Sequence, residues 1–325
     1  MYDIVILGGG PAGLSAGLYA ARSHKKTLII EKAMEGGQIA ETVGVENYPG
    51  IETISGMELG MVMAKQVKNF GGEIVTDEIE SVELKGKTKK IVGKFNEYKA
   101  KTVIVATGAH PREIGVPGEE EYKGKGISYC ATCDAPFYED LDVYVVGGGD
   151  SAVEEALYIA NFAKQVYIIH RRDALRAAKN IQEQAFAHEK IDFIWDTVVE
   201  EIKGDKIADE LVLRNVKSGE IRHITSEKEP FGIFVFIGYI PNTELFKDVL
   251  ELEDGYIVTD DEMRTNIEGV YAAGDIRVKT IRQVVTAAGD GAIAAMNAQK
   301  YVDAMEGNLY EGFKEDALGK SPVKE

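Results

Sequence analysis

The feature that most constrains the fold of this chain is an internal repeat of a glycine-rich segment. Residues 3–31 align without a gap with residues 142–170. Each copy starts with an apolar, β-branched run, continues through a glycine turn and a stretch of helical spacing, and ends in a second apolar run. That order is typical of a βαβ unit. Because one repeat of this size does not build a solenoid, we predict two nucleotide-binding domains in one chain.

Two glycine- and proline-containing loops, residues 111–118 and 238–243, flank the second copy and have the character of linkers. The fold class predicted is therefore α/β, with two Rossmann-like domains, one inserted into the other. Residues 1–115 and 243–325 would form the first domain, and residues 116–242 the inserted one. A charged tail from Gly307 lacks periodicity, and we expect it at the surface.

Charge and hydropathy argue against several classes of protein. The 37 Lys and Arg against 54 Asp and Glu give a net charge of −17, which disfavours binding to nucleic acid or to an anionic membrane surface. No apolar run reaches the roughly 18 residues of a membrane span. The chain enters a strand-like run at Tyr2 without a basic n-region, so we expect a cytoplasmic protein.

The first repeat contains Gly8, Gly10 and Gly13 in a GxGxxG pattern between a predicted strand and a predicted helix. In that context the glycines allow a tight turn and close approach of the backbone to a pyrophosphate. Glu31, at the end of the second strand, is placed to bind ribose hydroxyls. The alternative is a glycine-rich turn with a purely structural role.

The second repeat differs at the position that selects the ribose. Its pattern is Gly147, Gly149 and Ala152, and His170 stands where the first copy has Glu31. Three arginines follow, at 171, 172 and 176. Guanidinium groups bind a 2′-phosphate that an acid would repel, so this copy favours NADPH. The alternative is a solvated basic patch.

The only two cysteines, Cys130 and Cys133, form a CxxC motif. A zinc site needs about four ligands, and no second pair or suitably spaced histidine is present, so no metal is predicted. A dithiol/disulfide couple remains. Asp134, which follows, is either a proton donor for a thiolate or a helix N-cap, and the sequence favours neither.

These motifs occur together, and in the same order, in a known family. The chain resembles the low-molecular-weight NADPH-dependent thioredoxin reductases over almost its whole length, to about residue 303. The segments that carry the resemblance are the two glycine motifs, Glu46–Gly50, Ala106–Gly108, Cys130–Asp134, His170–Asp173 and Gly274–Asp275. A CxxC just ahead of an inserted NADPH domain is specific to that family. The resemblance implies a homodimeric flavoprotein that passes a hydride from NADPH to FAD and electrons through the disulfide to thioredoxin.

The resemblance also implies roles for individual residues. Cys133 would be the thiol next to the flavin, Cys130 the thiol that attacks thioredoxin, and Asp134 the acid. NADPH would be bound by Gly149, Asp150, Ser151, Arg171, Arg172 and Arg176. FAD would be bound by Gly8, Gly10, Ala12, Gly13, Glu31, Gln38, Asn47, Thr107, Gly108, Asp275, Arg282 and Gln283.

Other functions remain open at this stage. A flavoprotein fed by another donor such as ferredoxin would be expected to lose the second glycine motif and the arginine pair. A same-fold reductase serving another disulfide protein is a further possibility. The reductase component of a peroxidase usually carries a thioredoxin-like N-terminal extension. A non-enzymatic redox sensor that binds flavin would not need the CxxC motif.

Overall fold

The computed structural model describes residues 1–42, 44–226 and 229–308. The strands, in chain order, are β1 (Tyr2–Leu7), β2 (Thr27–Glu31), β3 (Glu73–Thr76), β4 (Ile79–Glu83), β5 (Lys89–Gly93), β6 (Glu97–Val105), β7 (Ala109–Pro111), β8 (Ile127–Ser128), β9 (Asp142–Gly147), β10 (Gln165–Ile169), β11 (Ile191–Ile194), β12 (Thr197–Gly204), β13 (Ala208–Asn215), β14 (Ile221–Thr225), β15 (Gly232–Phe236), β16 (Tyr239–Pro241), β17 (Leu252–Glu253), β18 (Tyr256–Ile257) and β19 (Val270–Ala272).

Seven α-helices accompany these strands in the described ranges. They are α1 (Pro11–Arg22), α2 (Gly56–Asn69), α3 (Glu119–Tyr122), α4 (Ala131–Asp134), α5 (Asp150–Ile159), α6 (Lys179–Ala187) and α7 (Val284–Met305). Within those ranges, no helix combines the length and the apolar character needed to cross a membrane. The tail beyond Asn308, which the sequence places at the surface, lies outside the described residues.

The chain divides into two units. The first consists of Met1–His110 and the chain from Pro241 onward, and the second of Pro111–Ile240. The two connections between them contain β7 and β16, which pair as a two-stranded ladder. Both units are α/β, and the predicted fold class is confirmed.

The first unit is built on a sheet of order β3-β2-β1-β6-β5-β4, with β19 also paired to β6. Strands β1, β2, β3, β6 and β19 are parallel, whereas β4 and β5 form an antiparallel extension. Alternate residues of β1 enter different cores: Ile4 and Ile6 pack with α1, α2 and α7, and Val5 and Leu7 pack on the other face. Burial on both faces explains the unbroken apolar run at the start of the sequence.

The second unit repeats this plan with a different cover on one face. Its parallel sheet has the order β11-β10-β9-β15-β8. Val143 and Val145 pack with α5, while Tyr144 and Val146 pack against the antiparallel sheet β12-β13-β14. That three-stranded sheet was not predicted from the sequence. The βαβ units at both copies of the repeat were predicted, and both form.

Candidate functional site

The glycine turn of the first unit leaves space beside the backbone where a ligand could approach. A Cβ atom at Gly13 would lie 1.9 Å from the Gly8 carbonyl oxygen, so only glycine lets α1 pack this closely on the turn. At Gly10 the nearest atom to a Cβ would be 3.9 Å away, which leaves that side open. The arrangement agrees with the role of each glycine in pyrophosphate binding.

Glu31 ends β2 beside this turn. Its Oε2 accepts a hydrogen bond from the Gly9 N–H at 2.6 Å, and its Oε1 accepts one from the Ala33 N–H at 3.0 Å. The carboxylate is buried. Two backbone donors therefore hold Glu31 at the position where an acid binds ribose hydroxyls in dinucleotide-binding folds.

The other residues predicted to bind FAD follow neighbouring strands of the same sheet. Thr107 and Gly108 follow β6, and Asp275 follows β19. Because β2, β1, β6 and β19 are parallel neighbours, their carboxyl ends share one edge, which is where open α/β sheets bind ligands. Two hydrogen bonds connect Asn242 to the residues that follow β6. Thr107 Oγ1 donates to the Asn242 backbone carbonyl, and Asn242 Nδ2 donates to the Thr107 backbone carbonyl.

The remaining members of the predicted FAD set belong to the same unit. Ala12 lies in α1. Gln38 is exposed on a 3₁₀ turn, and the residue before that turn, Gly36, donates a backbone hydrogen bond to the Gly9 carbonyl. Asn47 Nδ2 donates to Gln283 Oε1 at 3.1 Å. Arg282 places its guanidinium 4.4 Å from the centroid of the Tyr256 ring.

Two buried polar atoms in this unit test whether the residues fit a flavin nucleotide. Asp275 Oδ1 and Arg282 Nε are buried and have no hydrogen-bond partner among the described residues. Burial also raises the pKa of Asp275. Buried polar groups are rarely left unsatisfied. A ligand with hydroxyl and carbonyl groups would satisfy both atoms, so the residues fit FAD.

Below the Asp275 loop lies a buried cluster of charges that the sequence analysis missed. Asp290 of α7 accepts hydrogen bonds from Lys279 Nζ at 2.8 Å and from the Gly274 N–H at 3.1 Å. Arg277 Nη1 is 3.4 Å from the same carboxylate oxygen. The Lys279 and Asp290 side chains are 9% and 12% exposed. Asp290 thus joins the segment that carries Asp275 to α7.

The glycine turn of the second unit has a basic side chain beside it. Gly149 is the N-cap of α5, and Asp150 and Ser151 form its exposed first turn. Asp150 Oδ1 accepts a hydrogen bond from the Ala178 N–H at 2.7 Å. The backbone N–H of Arg176 donates a hydrogen bond to the Gly148 carbonyl at 2.7 Å. The Arg176 Nη2 atom lies 3.8 Å from the position that a Cβ atom on Gly149 would occupy. Arg176 therefore reaches the turn itself.

Arg171, Arg172 and Arg176 are exposed, and within the described ranges none of their guanidinium groups has an ion-pair partner. The neighbouring His170 is buried, and its Nε2 has no hydrogen-bond partner in the described part of the chain. Burial and the charges of these arginines lower the pKa of His170. Uncompensated cations around a glycine turn fit a dinucleotide with a 2′-phosphate, such as NADPH.

The two cysteines of the second unit form a disulfide. Cys130 and Cys133 are half-buried, and their Cα atoms are 5.3 Å apart at the start of the short helix α4. Cys130 Sγ lies 3.5 Å from the Thr132 hydroxyl. The predicted redox pair is therefore formed within one turn of chain, where it can open and close without a large backbone movement.

Asp134 lies at the end of α4 beside this disulfide. It is the N-cap of the next 3₁₀ turn, Ala135–Tyr138, but its carboxylate makes no capping hydrogen bond there. Instead, Oδ2 accepts a hydrogen bond from Ser128 Oγ at 2.5 Å. Burial raises the pKa of Asp134, which favours the protonated acid. This geometry supports the proton-donor interpretation over the capping one.

The residue before Cys130 is fixed by a buried acid that sequence reasoning also missed. Glu119 Oε1 accepts hydrogen bonds from the Tyr129 hydroxyl at 2.8 Å and from the Ile114 N–H at 2.9 Å. Its Oε2 accepts one from the Gly115 N–H at 2.7 Å. One carboxylate thus joins residues 114–115 to the segment that carries the disulfide.

Comparison with known proteins places the chain in a family. Residues 2–291 match the pyridine nucleotide-disulphide oxidoreductase family. A thioredoxin reductase of Peptoclostridium acidaminophilum is 58% identical over 94% of this chain and 98% of its own. One of Listeria monocytogenes is 45% identical over 95% and 96%.

A solved structure extends this likeness to the fold. The crystal structure of thioredoxin reductase from Streptococcus pyogenes has a TM-score of 0.88 at 48% identity, covering 94% of this chain and 99% of that one. The family predicted from the motifs is confirmed. The chain belongs to the pyridine nucleotide-disulphide oxidoreductase family and, within it, to the low-molecular-weight thioredoxin reductases.

Proposed function

We propose that this protein is an NADPH-dependent thioredoxin-disulfide reductase that uses FAD. The observation that carries the proposal is the Cys130–Cys133 disulfide followed by a half-buried acid of raised pKa, Asp134. The unit that holds this pair also holds, at its glycine turn, three arginines that have no ion-pair partner among the described residues. A redox pair, a proton donor and a site for NADPH are the parts that such a reductase requires.

The cofactors are assigned to different units. The first unit would hold FAD through its glycine turn, Glu31 and the residues that follow β6 and β19. The inserted unit would hold NADPH through Gly149, Asp150, Ser151 and the three arginines. When bound, the flavin supplies the hydride acceptor and the electron donor that connect NADPH to a disulfide. The domain assignment of the sequence analysis follows this division and stays a proposal.

The chain's own residues carry out the thiol–disulfide exchange. The Cys130 thiolate attacks one sulfur of the acceptor disulfide, a new S–S bond forms, and the departing thiolate takes a proton. The Cys133 thiolate then attacks Cys130 Sγ, which restores the internal disulfide and releases the second acceptor thiolate. Two electrons and two protons reach the acceptor. Asp134 would supply and recover a proton beside the two sulfurs.

Thioredoxin, or a thioredoxin-like disulfide protein, is the proposed acceptor, as the names of the relatives suggest. We further propose a homodimer in the cytoplasm, where a reducing environment keeps the dithiol in use. The intact second glycine motif and the three arginines that follow β10 argue against a ferredoxin-fed flavoprotein. The disulfide beside Asp134 argues against a redox sensor that only binds flavin.

Two thiol variants test this function. Cys130→Ser should bind FAD and be reduced by NADPH, but should not reduce thioredoxin, because no thiolate attacks the acceptor. Cys133→Ser should also fail in turnover, yet should trap thioredoxin as a mixed disulfide through Cys130. Thr132→Ser, which keeps a hydroxyl between the cysteines, is the matched control. Normal thioredoxin turnover by either cysteine variant would contradict the proposal.

A further inference from the structure

Ser128 links the backbone of the redox pair to Asp134. Its side chain is buried in the short strand β8, two residues before Cys130. Ser128 Oγ accepts a hydrogen bond from the Cys130 N–H at 3.1 Å and donates one to Asp134 Oδ2 at 2.5 Å. It is therefore the hydroxyl through which one of the two cysteines is connected to the acid.

The single proton of this hydroxyl has two acceptors within reach. The Cys130 carbonyl oxygen lies 3.3 Å from Ser128 Oγ, compared with 2.5 Å for the Asp134 carboxylate. While Asp134 is ionised, the shorter, charge-assisted bond holds the proton. Once Asp134 is protonated, its own O–H can donate to Ser128 Oγ, and the serine proton can turn to the Cys130 carbonyl. The half-buried acid thus keeps a hydrogen-bond partner in both states.

We propose that Ser128 is the positioning residue for Asp134: it holds this half-buried acid in place and allows it to gain and lose a proton without either side chain losing its hydrogen-bond partner. This rests on the proposed role of Asp134 as the acid. Any buried group that loses its partner incurs a desolvation penalty. A carboxyl that cycles between two protonation states at each turnover needs a partner able to donate and to accept, and a hydroxyl does both.

The elements next to Asp134 carry other titratable groups. Tyr138 follows it on the 3₁₀ turn, and burial together with Asp134 raises the pKa of that tyrosine to about 12, so it stays neutral. The neighbouring helix α5 carries Asp150, Glu154, Glu155 and Tyr158, and the two cysteines titrate once reduced. Burial raises the pKa of Asp134, and the hydrogen bond from Ser128 acts in the opposite direction. Removing the hydroxyl should therefore make Asp134 a weaker acid.

The test measures the rate at which the prereduced holoenzyme reduces thioredoxin in a single turnover, as a function of pH. Asp134→Asn identifies the limb of the profile that belongs to Asp134. Ser128→Ala should move that limb to higher pH by about one unit, because it removes a charge-assisted hydrogen bond. Ser128→Thr, which keeps the hydroxyl, should restore its position. Thr197→Val removes another buried hydroxyl of the same unit, bonded to the Trp195 carbonyl, and should leave the limb in place.

The outcomes separate this proposal from the proposed function. A uniform fall in rate for Ser128→Ala, with the limb unmoved, would mean a merely structural serine and overturn the proposal. If Asp134→Asn retains the limb, the acid is another group, and the proposal fails together with that part of the function. If Ser128→Ala does not fold, the test is the infrared spectrum of the native protein. The carboxyl band of Asp134 is identified as the band that Asp134→Asn lacks. A band typical of a hydrogen-bonded carboxyl supports the proposal, and one typical of a free carboxyl refutes it.

Discussion

His170 packs against Gly148 so closely that a Cβ atom on that glycine would lie 2.3 Å from Nδ1 of the ring. The two equivalent positions of the first repeat, Gly9 and Glu31, are also in contact, through the 2.6 Å hydrogen bond to the carboxylate. In both copies, therefore, the middle one of three consecutive glycines is in contact with an equivalent residue, which is the last of β2 in the first copy and directly follows β10 in the second. An acid at that position suits a ribose with free hydroxyls, and an imidazole followed by arginines suits a 2′-phosphate.

Replacing Arg171 and Arg172 with Ala should lower kcat/KM for NADPH by about tenfold or more, because charge-assisted hydrogen bonds to the phosphate are lost. The value for NADH, which lacks that phosphate, should change little. Steady-state kinetics with both coenzymes measure the effect. Arg214→Ala is the control, since that exposed arginine of the same unit pairs with Glu200. An equal loss for both coenzymes would show that these arginines do not recognise the phosphate.

Gly13→Ala should prevent FAD from binding, and should destabilise the first unit, because the new methyl group would lie 1.9 Å from the Gly8 carbonyl oxygen. Gly10→Ala should fold, since its Cβ has space, but should bind FAD more weakly where a pyrophosphate approaches. Flavin absorbance after purification and thermal unfolding distinguish the two effects. Gly289→Ala in α7, where no atom lies within 4 Å of a Cβ, is the control and should retain the flavin. Full loading of Gly13→Ala would contradict the assignment.

The raised pKa of Asp134 predicts a specific dependence of stability on pH. Between the unfolded value near 3.8 and the higher folded value, the folded protein binds more protons than the unfolded chain. The free energy of unfolding contributed by this group is therefore present at low pH and is lost as the pH rises through the folded pKa. Asp134→Asn should remove that part of the slope in urea titrations of the oxidised protein. An unchanged slope would indicate an ordinary, solvated carboxyl.

Lys279→Met should destabilise the protein by about 3 kcal/mol, because it removes a cation from a buried ion pair and leaves the Asp290 carboxylate less compensated. Denaturant unfolding of the protein stripped of flavin measures this loss. Lys247→Met provides the comparison: its partner Glu244 is exposed, and a solvent-exposed pair contributes little to stability. The double variant Lys279→Met, Asp290→Asn should recover part of the lost free energy of unfolding. If the destabilisations by the two single changes simply add in the double variant, Lys279 and Asp290 do not interact.

The parts of the fold that could be predicted are those whose residues are buried on both faces. The runs that became β1 and β9 are almost continuously apolar and are followed by glycine turns, so pattern alone located them. The antiparallel sheet β12-β13-β14 has no such signal. In β14 only Ile224 is even half-buried, and the exposed residues mix the polar Arg222, His223 and Thr225 with the apolar Ile221. Its strands follow from tertiary packing rather than from local propensity.

The predictable part of the candidate site follows the same rule. Residues with a fixed spacing from the glycine turns were found, because motif and strand end define their place. Ser128 and Glu119 were not found. Neither a single serine nor one of three consecutive glutamates carries a local sequence signal that identifies its hydrogen-bond partner. A serine two residues before a CxxC motif is a signal that could have been used, since short-range serine hydrogen bonds to the backbone are common.

The inserted unit begins and ends at one place: the Arg112 N–H donates a hydrogen bond to the Gly238 carbonyl at 2.8 Å, and β7 pairs with β16. An element whose two ends meet in this way can be added to a host fold by interrupting a single loop. Since the host and the insert carry copies of the same βαβ repeat, duplication of that segment followed by one such insertion would account for the presence of both copies in one chain. Residues 111–240 should then be exchangeable between relatives as one segment, and the sheet of the first unit should still fold in the chimaera.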